Sequence, residues 1–332
     1  MKHLPRFVIA LLIGIVTGGL ASWHLSVERA AAGDFSWPLQ GARVLVNGGD
    51  PYQDNIQPLP YDPTMPLLYP LPAVLVAVPL AGLTNSAAVF VFFGASCGLL
   101  AWALLRDGAW RLLIFVSMPF CISLTVSQWG PLLCAALVLP SFGWAAACKP
   151  NLGLAVLVAR PSRTRVFALA IVGVLSLAVL PSWPWSWYNN VAIDRYHIAP
   201  LWVFPGVVLL AALLRWRDWR ARLIVALAAV PHLGYDLILL QLVARTAREQ
   251  LILVAGSWIT LIGVALVGGG ARWWLIGCYL PALILVLRHN DASQPRKDVT
   301  ALLELRNKLR RLHWLTDMVD VKHGPSVQKV HE

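Results

Sequence analysis

Arginine and lysine fall in clusters between apolar runs along the whole chain, and that alternation limits the fold more than any motif does. Runs long enough to approach or cross a bilayer occupy residues 7–23, 66–83, 86–105, 112–126, 131–159, 165–181, 200–214, 222–244, 250–269 and 273–288. A straight helical crossing takes about 20 apolar residues, so the shorter runs predict broken or re-entrant helices. Composition agrees, since 58% of the 332 residues are hydrophobic and 13% are charged, against roughly a quarter charged in soluble domains. The expected fold class is an all-α polytopic membrane protein in a lipid bilayer.

The net charge of +11 is a topology signal, not the mark of a nucleic-acid partner, because cationic loops stay on the cytoplasmic side during insertion. Clusters at Lys2/Arg6, Arg106/Arg111, Arg160/Arg163/Arg165, Arg215/Arg217/Arg220/Arg222, Arg245/Arg248 and from Arg288 onward are therefore expected inside, together with both termini. The loop from His24 to Met65 carries Glu28, Asp34, Asp50, Asp54 and Asp62 against Arg29 and Arg43, and is expected outside. That assignment requires 66–105 to cross only once, so 66–83, rich in proline, is read as a helix dipping into or lying on the outer leaflet. A break at Pro231 and Gly234 makes 222–248 a re-entrant pair that returns both flanking arginine clusters to the inside. The first run is read as a retained helix. Residues 1–288 form the membrane domain, and 289–332 a basic cytoplasmic tail in which Leu302, Leu305, Leu309, Leu312 and Leu315 predict an amphipathic helix. A multi-pass protein of a bacterial inner membrane fits this pattern.

Phe35, Leu39, Ala42 and Val46 recur at helical spacing, so 36–47 predicts a short juxtamembrane helix in the first external loop, ended by Gly48-Gly49. Asp34 precedes it. An acid there either caps the helix or meets a headgroup at the membrane boundary. Asp50-Pro51-Tyr52 reads as a turn. Lys149 and Asp236 are ionisable groups within or beside apolar runs, where an unpaired charge costs about 2.5–3.5 kcal/mol, so each is expected in a pair or a polar cavity. Cys97, Cys121, Cys134, Cys148 and Cys278 all sit in apolar segments without a C-x-x-C spacing, which argues for ordinary core residues. The segment 181–200 gathers Trp183, Trp185, Trp187, Tyr188, Tyr196, Asp194, Arg195 and His197, suiting an aromatic belt, a headgroup surface or both.

An ordered series of short motifs runs through the chain. Asp34-Phe35 is followed by Gly48-Gly49-Asp50-Pro51-Tyr52, by Tyr69-Pro70 with Pro72 and Pro79-Leu80, by Ser127-Gln128-Trp129-Gly130 and Lys149-Pro150, and by Pro231, Tyr235, Asp236 and Leu237. This order resembles glycosyltransferase family 87 of the glycosyltransferase-C superfamily, which includes polyprenyl-phosphate-mannose-dependent mannosyltransferases. Tyr-Pro-Leu-Pro stands where the family pattern has Y-P-P, and Ser127 and Gly130 replace the Gly and Asn of G-Q-x-N.

The resemblance implies a glycosyltransferase-C-like helical bundle and an inverting transfer of a sugar, mannose being the family-based choice, from a polyprenyl-phosphate donor to a lipid or glycan acceptor at the outer face. Inversion needs one carboxylate to take the acceptor proton, and Asp34 is the candidate base. The departing phosphate needs cations or N–H donors, for which Arg43, Arg195, His197 and His232 are candidates, with Lys149. Asp50, Tyr52, Tyr69, Gln128, Tyr235 and Asp236 complete the implied substrate-binding set. The chain has no D-x-D, so no obligatory metal or other cofactor is expected. A transporter or lipid flippase, or an inactive scaffold relative, are the alternatives.

Overall fold

The computed structural model describes residues 4–28, 33–53, 66–191 and 199–289. Its regular elements are helical, with no β-strand among the described residues. In chain order the α-helices are α1 (Leu4–Glu28), α2 (Ser36–Val46), α3 (Leu71–Ala77), α4 (Asn85–Leu104), α5 (Met118–Thr125), α6 (Gly130–Val138), α7 (Pro150–Ala159), α8 (Arg163–Val179), α9 (Trp183–Val191), α10 (Trp219–Ala229), α11 (Ala247–Val267), α12 (Ala271–Trp274) and α13 (Leu280–Arg288). Tighter 3-10 stretches, notably Ala109–Val116, Pro140–Ala147, Gly206–Arg215 and Gly234–Val243, link them. Four spans are long and apolar enough to cross a membrane: α1, α4, α11 and the run Ala271–Arg288 that joins α12 to α13. Counting α8 with α9, which bend by 100° at their junction, gives a fifth. The tail with its expected amphipathic helix lies outside the described residues.

The other elements are short. The apolar run 131–159 breaks into α6, Pro140–Ala147 and α7, and residues 222–248 form the expected pair of half-helices, α10 and Gly234–Val243, parted at Val230–Leu233. Arg220 Nε, at the start of α10, donates to the Val243 carbonyl at 3.0 Å, and Arg245 pairs with Asp218 at 2.5 Å. The two arginine clusters are thus on the same side, as the charge pattern requires. Leu71–Leu80 is likewise too short to cross a bilayer. It is buried along most of α3 and leads through a turn into α4.

One end of the bundle is built from arginines that receive helix termini. The last carbonyls of a helix have no intrahelical donor and carry partial negative charge, so a guanidinium suits both needs. Arg165 Nη2 donates to Ala136 O and Leu137 O near the end of α6, at 3.0 and 3.2 Å. Arg222 Nη2 donates to Ala159 O, the last residue of α7, at 2.9 Å. Several guanidinium groups also stack on tryptophans, including Arg106 over Trp102 at 4.3 Å and Arg220 over Trp219 at 4.6 Å, contacts favoured by the ring quadrupole.

The most extensive helix pairing joins α1 to α4. A methyl group on Gly14 would lie 2.8 Å from Gly94 O, and one on Gly18 would lie 2.6 Å from Phe90 O. Gly14/Gly18 and Gly94/Gly98 form two small-xxx-small stripes, the pattern that lets membrane helices approach backbone to backbone.

Candidate functional site

The segment before α2 is fixed by backbone contacts rather than by a side-chain cap. Gly33 takes φ +53° and passes so close to Val126 that a Cβ would lie 2.5 Å from its carbonyl oxygen. Asp34 N then donates to Val126 O at 2.9 Å. Glycine meets both demands best, since the left-handed region disfavours a side chain and the approach to Val126 leaves no room for one. Phe35 stacks on Phe92 of α4, ring centroids 3.9 Å apart and 6° from parallel, and both rings meet the Trp129 indole. Phe35, Leu39 and Ala42 are buried as the spacing predicts, whereas Val46 is 60% exposed at the end of α2. No side chain caps α2. The Oδ2 of Asp34 accepts from the Tyr235 hydroxyl at 3.0 Å.

Tyr235 joins this carboxylate to a second cluster. Its ring lies under Lys149 Nζ, 4.8 Å from the centroid, and Lys149 Nζ donates to Asp236 Oδ1 at 2.7 Å and to Gln128 Oε1 at 3.2 Å. Asp236 Oδ2 accepts from Leu233 N at 3.2 Å, at the start of Gly234–Val243. Lys149 immediately precedes α7, and Gln128 ends the turn between α5 and α6. Breaks between short elements thus bring the polar groups together inside the bundle. Pairing offsets the large desolvation cost that either charge alone would carry.

That turn is unusual in two ways. Ser127 has φ +51°, the one positive value among described non-glycine residues. Ser127 Oγ, Gln128 Nε2 and Trp129 Nε1 are buried without a hydrogen-bond partner, and all three residues are 0% exposed. A buried polar group left unsatisfied costs about 1–3 kcal/mol, and native structures keep few of them. Three in successive residues, held in a turn with a positive φ beside Asp34 and Lys149, single out this turn within the bundle.

The sequence-predicted residues divide by position. Asp34, Gln128, Lys149, Tyr235 and Asp236 meet in one cluster, and Tyr69 reaches it through Trp129, ring centroids 6.2 Å apart. Tyr52 donates to Tyr69 O at 3.0 Å, and Asp50 Oδ1 accepts from Tyr52 N at 2.9 Å, the turn contact expected of an Asp-Pro-Tyr sequence. Burial, with Asp50 beside it, pushes the Tyr52 hydroxyl up and keeps it protonated. Arg43 turns elsewhere, donating to Ala81 O at 3.1 Å and Leu83 O at 2.8 Å, so it ties α2 to the loop before α4. His232 is buried, with Nδ1 2.8 Å from Val230 O and Nε2 3.2 Å from the Tyr279 hydroxyl, and it stacks on Trp274. Arg195 and His197 lie outside the described residues.

Sequence reasoning passed over Gly33, Asn151 and Tyr279. Asn151 Nδ2 donates to Pro231 O at 2.6 Å, joining the start of α7 to the break before Gly234–Val243. A polar residue directly after Lys149-Pro150 in an apolar run was the available signal. No group of three or more His, Cys, Asp or Glu side chains suited to a metal occurs among the described residues. The free cysteines are buried or half-buried within helical segments. Compared with family models, curated proteins and solved structures, the chain gives no match in any of the three.

Proposed function

We propose that this chain is an integral membrane glycosyltransferase that moves a sugar from a polyprenyl-phosphate donor to a lipid or glycan hydroxyl at the outer face of the membrane, with inversion. The observation that carries this reading is the meeting of an oriented carboxylate, Asp34, with a lysine and unsatisfied buried donors in one cluster. In the reaction Asp34 takes the proton of the acceptor hydroxyl as its oxygen attacks the anomeric carbon. The bond from that carbon to the phosphate oxygen breaks, and the polyprenyl phosphate leaves with the electron pair. Negative charge grows on that phosphate, and prepositioned donors lower the barrier because they need not reorganise. Lys149 has three N–H donors. Gln128 and Asp236 use two of them, which leaves one for a phosphate oxygen. Gln128 Nε2 and Trp129 Nε1 supply neutral donors. Tyr235 holds Asp34 in place. The resemblance to family 87 supports the same reading, and it supplies mannose as the first sugar to try.

A transporter or flippase is the second reading, favoured by one feature. The Lys149–Asp236 pair sits at breaks between short helices, where such proteins place ion and substrate sites.

The test uses purified protein in lipid, a panel of radiolabelled polyprenyl-phosphate sugars and a membrane-lipid acceptor extract, comparing wild type with Asp34→Asn. Transfer that collapses in Asp34→Asn while donor binding persists supports the assignment. Equal transfer by both removes Asp34 from catalysis. Donor binding without transfer by either, together with donor movement across vesicles, selects the flippase.

A further inference from the structure

At the basic end of the bundle, α1 and α4 enclose a furrow of about 640 Å³ that the transfer chemistry does not use. It is lined almost wholly by apolar atoms, with Leu11, Val91, Ala95 and Leu99 along its length and the aromatic rings of Phe7 and Trp102 toward one end. The glycine stripes create it. They bring the helix backbones together on one side and leave no side chain to fill the groove above them.

Charge lies at the same end as the rings. The register that sets Gly18 against Phe90 and Ala10 against Gly98 brings Arg6 level with Trp102 and Arg106. Arg106 stacks its guanidinium on Trp102 at 4.3 Å and is exposed. Arg6 directly precedes Phe7, and its buried Nε has no hydrogen-bond partner. An apolar furrow lined by Phe7 and Trp102, with Arg6 next to the first in sequence and Arg106 stacked on the second, is complementary to an amphiphile with an anionic head.

We propose that this furrow binds an anionic phospholipid, with one acyl chain between α1 and α4 and the phosphate against Arg6 and Arg106. Aliphatic chain contacts give the site its depth, and the arginines choose the headgroup. A zwitterionic lipid of the same chains fills the furrow but gains less from the two cations, each of which contributes roughly a fivefold preference for anionic lipid near a membrane surface. The proposal does not depend on the sugar-transfer reading, because neither arginine touches the Asp34 cluster.

Native mass spectrometry of the full-length protein, titrated with phosphatidylglycerol or phosphatidylcholine of identical acyl chains, tests it. Wild type is expected to bind the anionic lipid more tightly. Arg6→Gln combined with Arg106→Gln is expected to reduce that preference by more than tenfold while weakening phosphatidylcholine binding far less. Ala95→Phe, on an exposed position of the furrow floor, is expected to weaken both lipids together. An unaltered preference in the double variant overturns the headgroup assignment, and unaltered binding of both lipids in Ala95→Phe overturns the furrow as the chain site.

Discussion

The Tyr235 hydroxyl donates to Asp34 Oδ2 at 3.0 Å across 201 residues of sequence. A hydrogen bond to a charged group is worth about 1.5–3 kcal/mol. Tyr235→Phe keeps the ring under Lys149 but removes this hydrogen bond to the carboxylate. Turnover is therefore expected to fall roughly 10- to 100-fold with little change in KM. Steady-state transfer assays check this, and an unchanged turnover would make the bond structural only.

The Lys149–Asp236 pair predicts an asymmetric pattern of stability. Lys149→Met leaves a buried carboxylate alone and is expected to cost about 3–5 kcal/mol. Adding Asp236→Leu removes the second charge and is expected to restore most of that loss, without restoring activity. Thermal unfolding of the single and double variants in detergent reads both effects. A double variant no more stable than the single one contradicts the pairing.

Gly33 is expected to tolerate no side chain. Gly33→Ala meets the Val126 carbonyl and a left-handed φ at once, and the conformation alone costs an alanine roughly 1–2 kcal/mol. The predicted signature is lost transfer activity with a modest fall in melting temperature, because the segment that shifts is the one that carries Asp34. Wild-type activity in this variant would show that the approach to Val126 is not required.

Asp218, between the half-helix pair and the stretch before it, predicts acid sensitivity at the basic end. Burial raises its carboxyl pKa, but the Arg220 backbone N–H and the charges of Arg220 and Arg245 outweigh burial and hold it below the usual range. A depressed folded value adds stability above the unfolded pKa of about 3.9 and loses it as pH falls through the folded value. Asp218→Asn is expected to be less stable at neutral pH and to show a flatter decline between about pH 4 and pH 2. Parallel acid-denaturation curves for the two proteins would contradict this assignment.

The membrane class, the helix before the Asp50 turn and the meeting of the Arg220 and Arg245 clusters were legible because they rest on local composition and periodicity. Lys149 and Asp236 were flagged for the same reason: a charge in an apolar run demands a partner. Their pairing was not legible, since no periodic pattern says which helix breaks meet in space. Arg43 illustrates the limit well. Its charge suited a phosphate, and no local pattern showed that it donates to two carbonyls of the loop before α4. The glycine contacts of α1 with α4 were equally hidden, because Gly14 and Gly94 announce a close approach only when the facing helix is known.

The arginine caps also set an order of events during synthesis. The Ala159 carbonyl at the end of α7 is received by Arg222, a residue made 63 positions later. Leu137 similarly waits 23 positions for Arg160 and 28 for Arg165. The end of the last span is different, because Arg215, which donates to Leu287 O at 3.4 Å, is made 72 positions earlier. The ends of α6 and α7 therefore gain these donors only after later segments have been made, while the last helix arrives to a partner already synthesised.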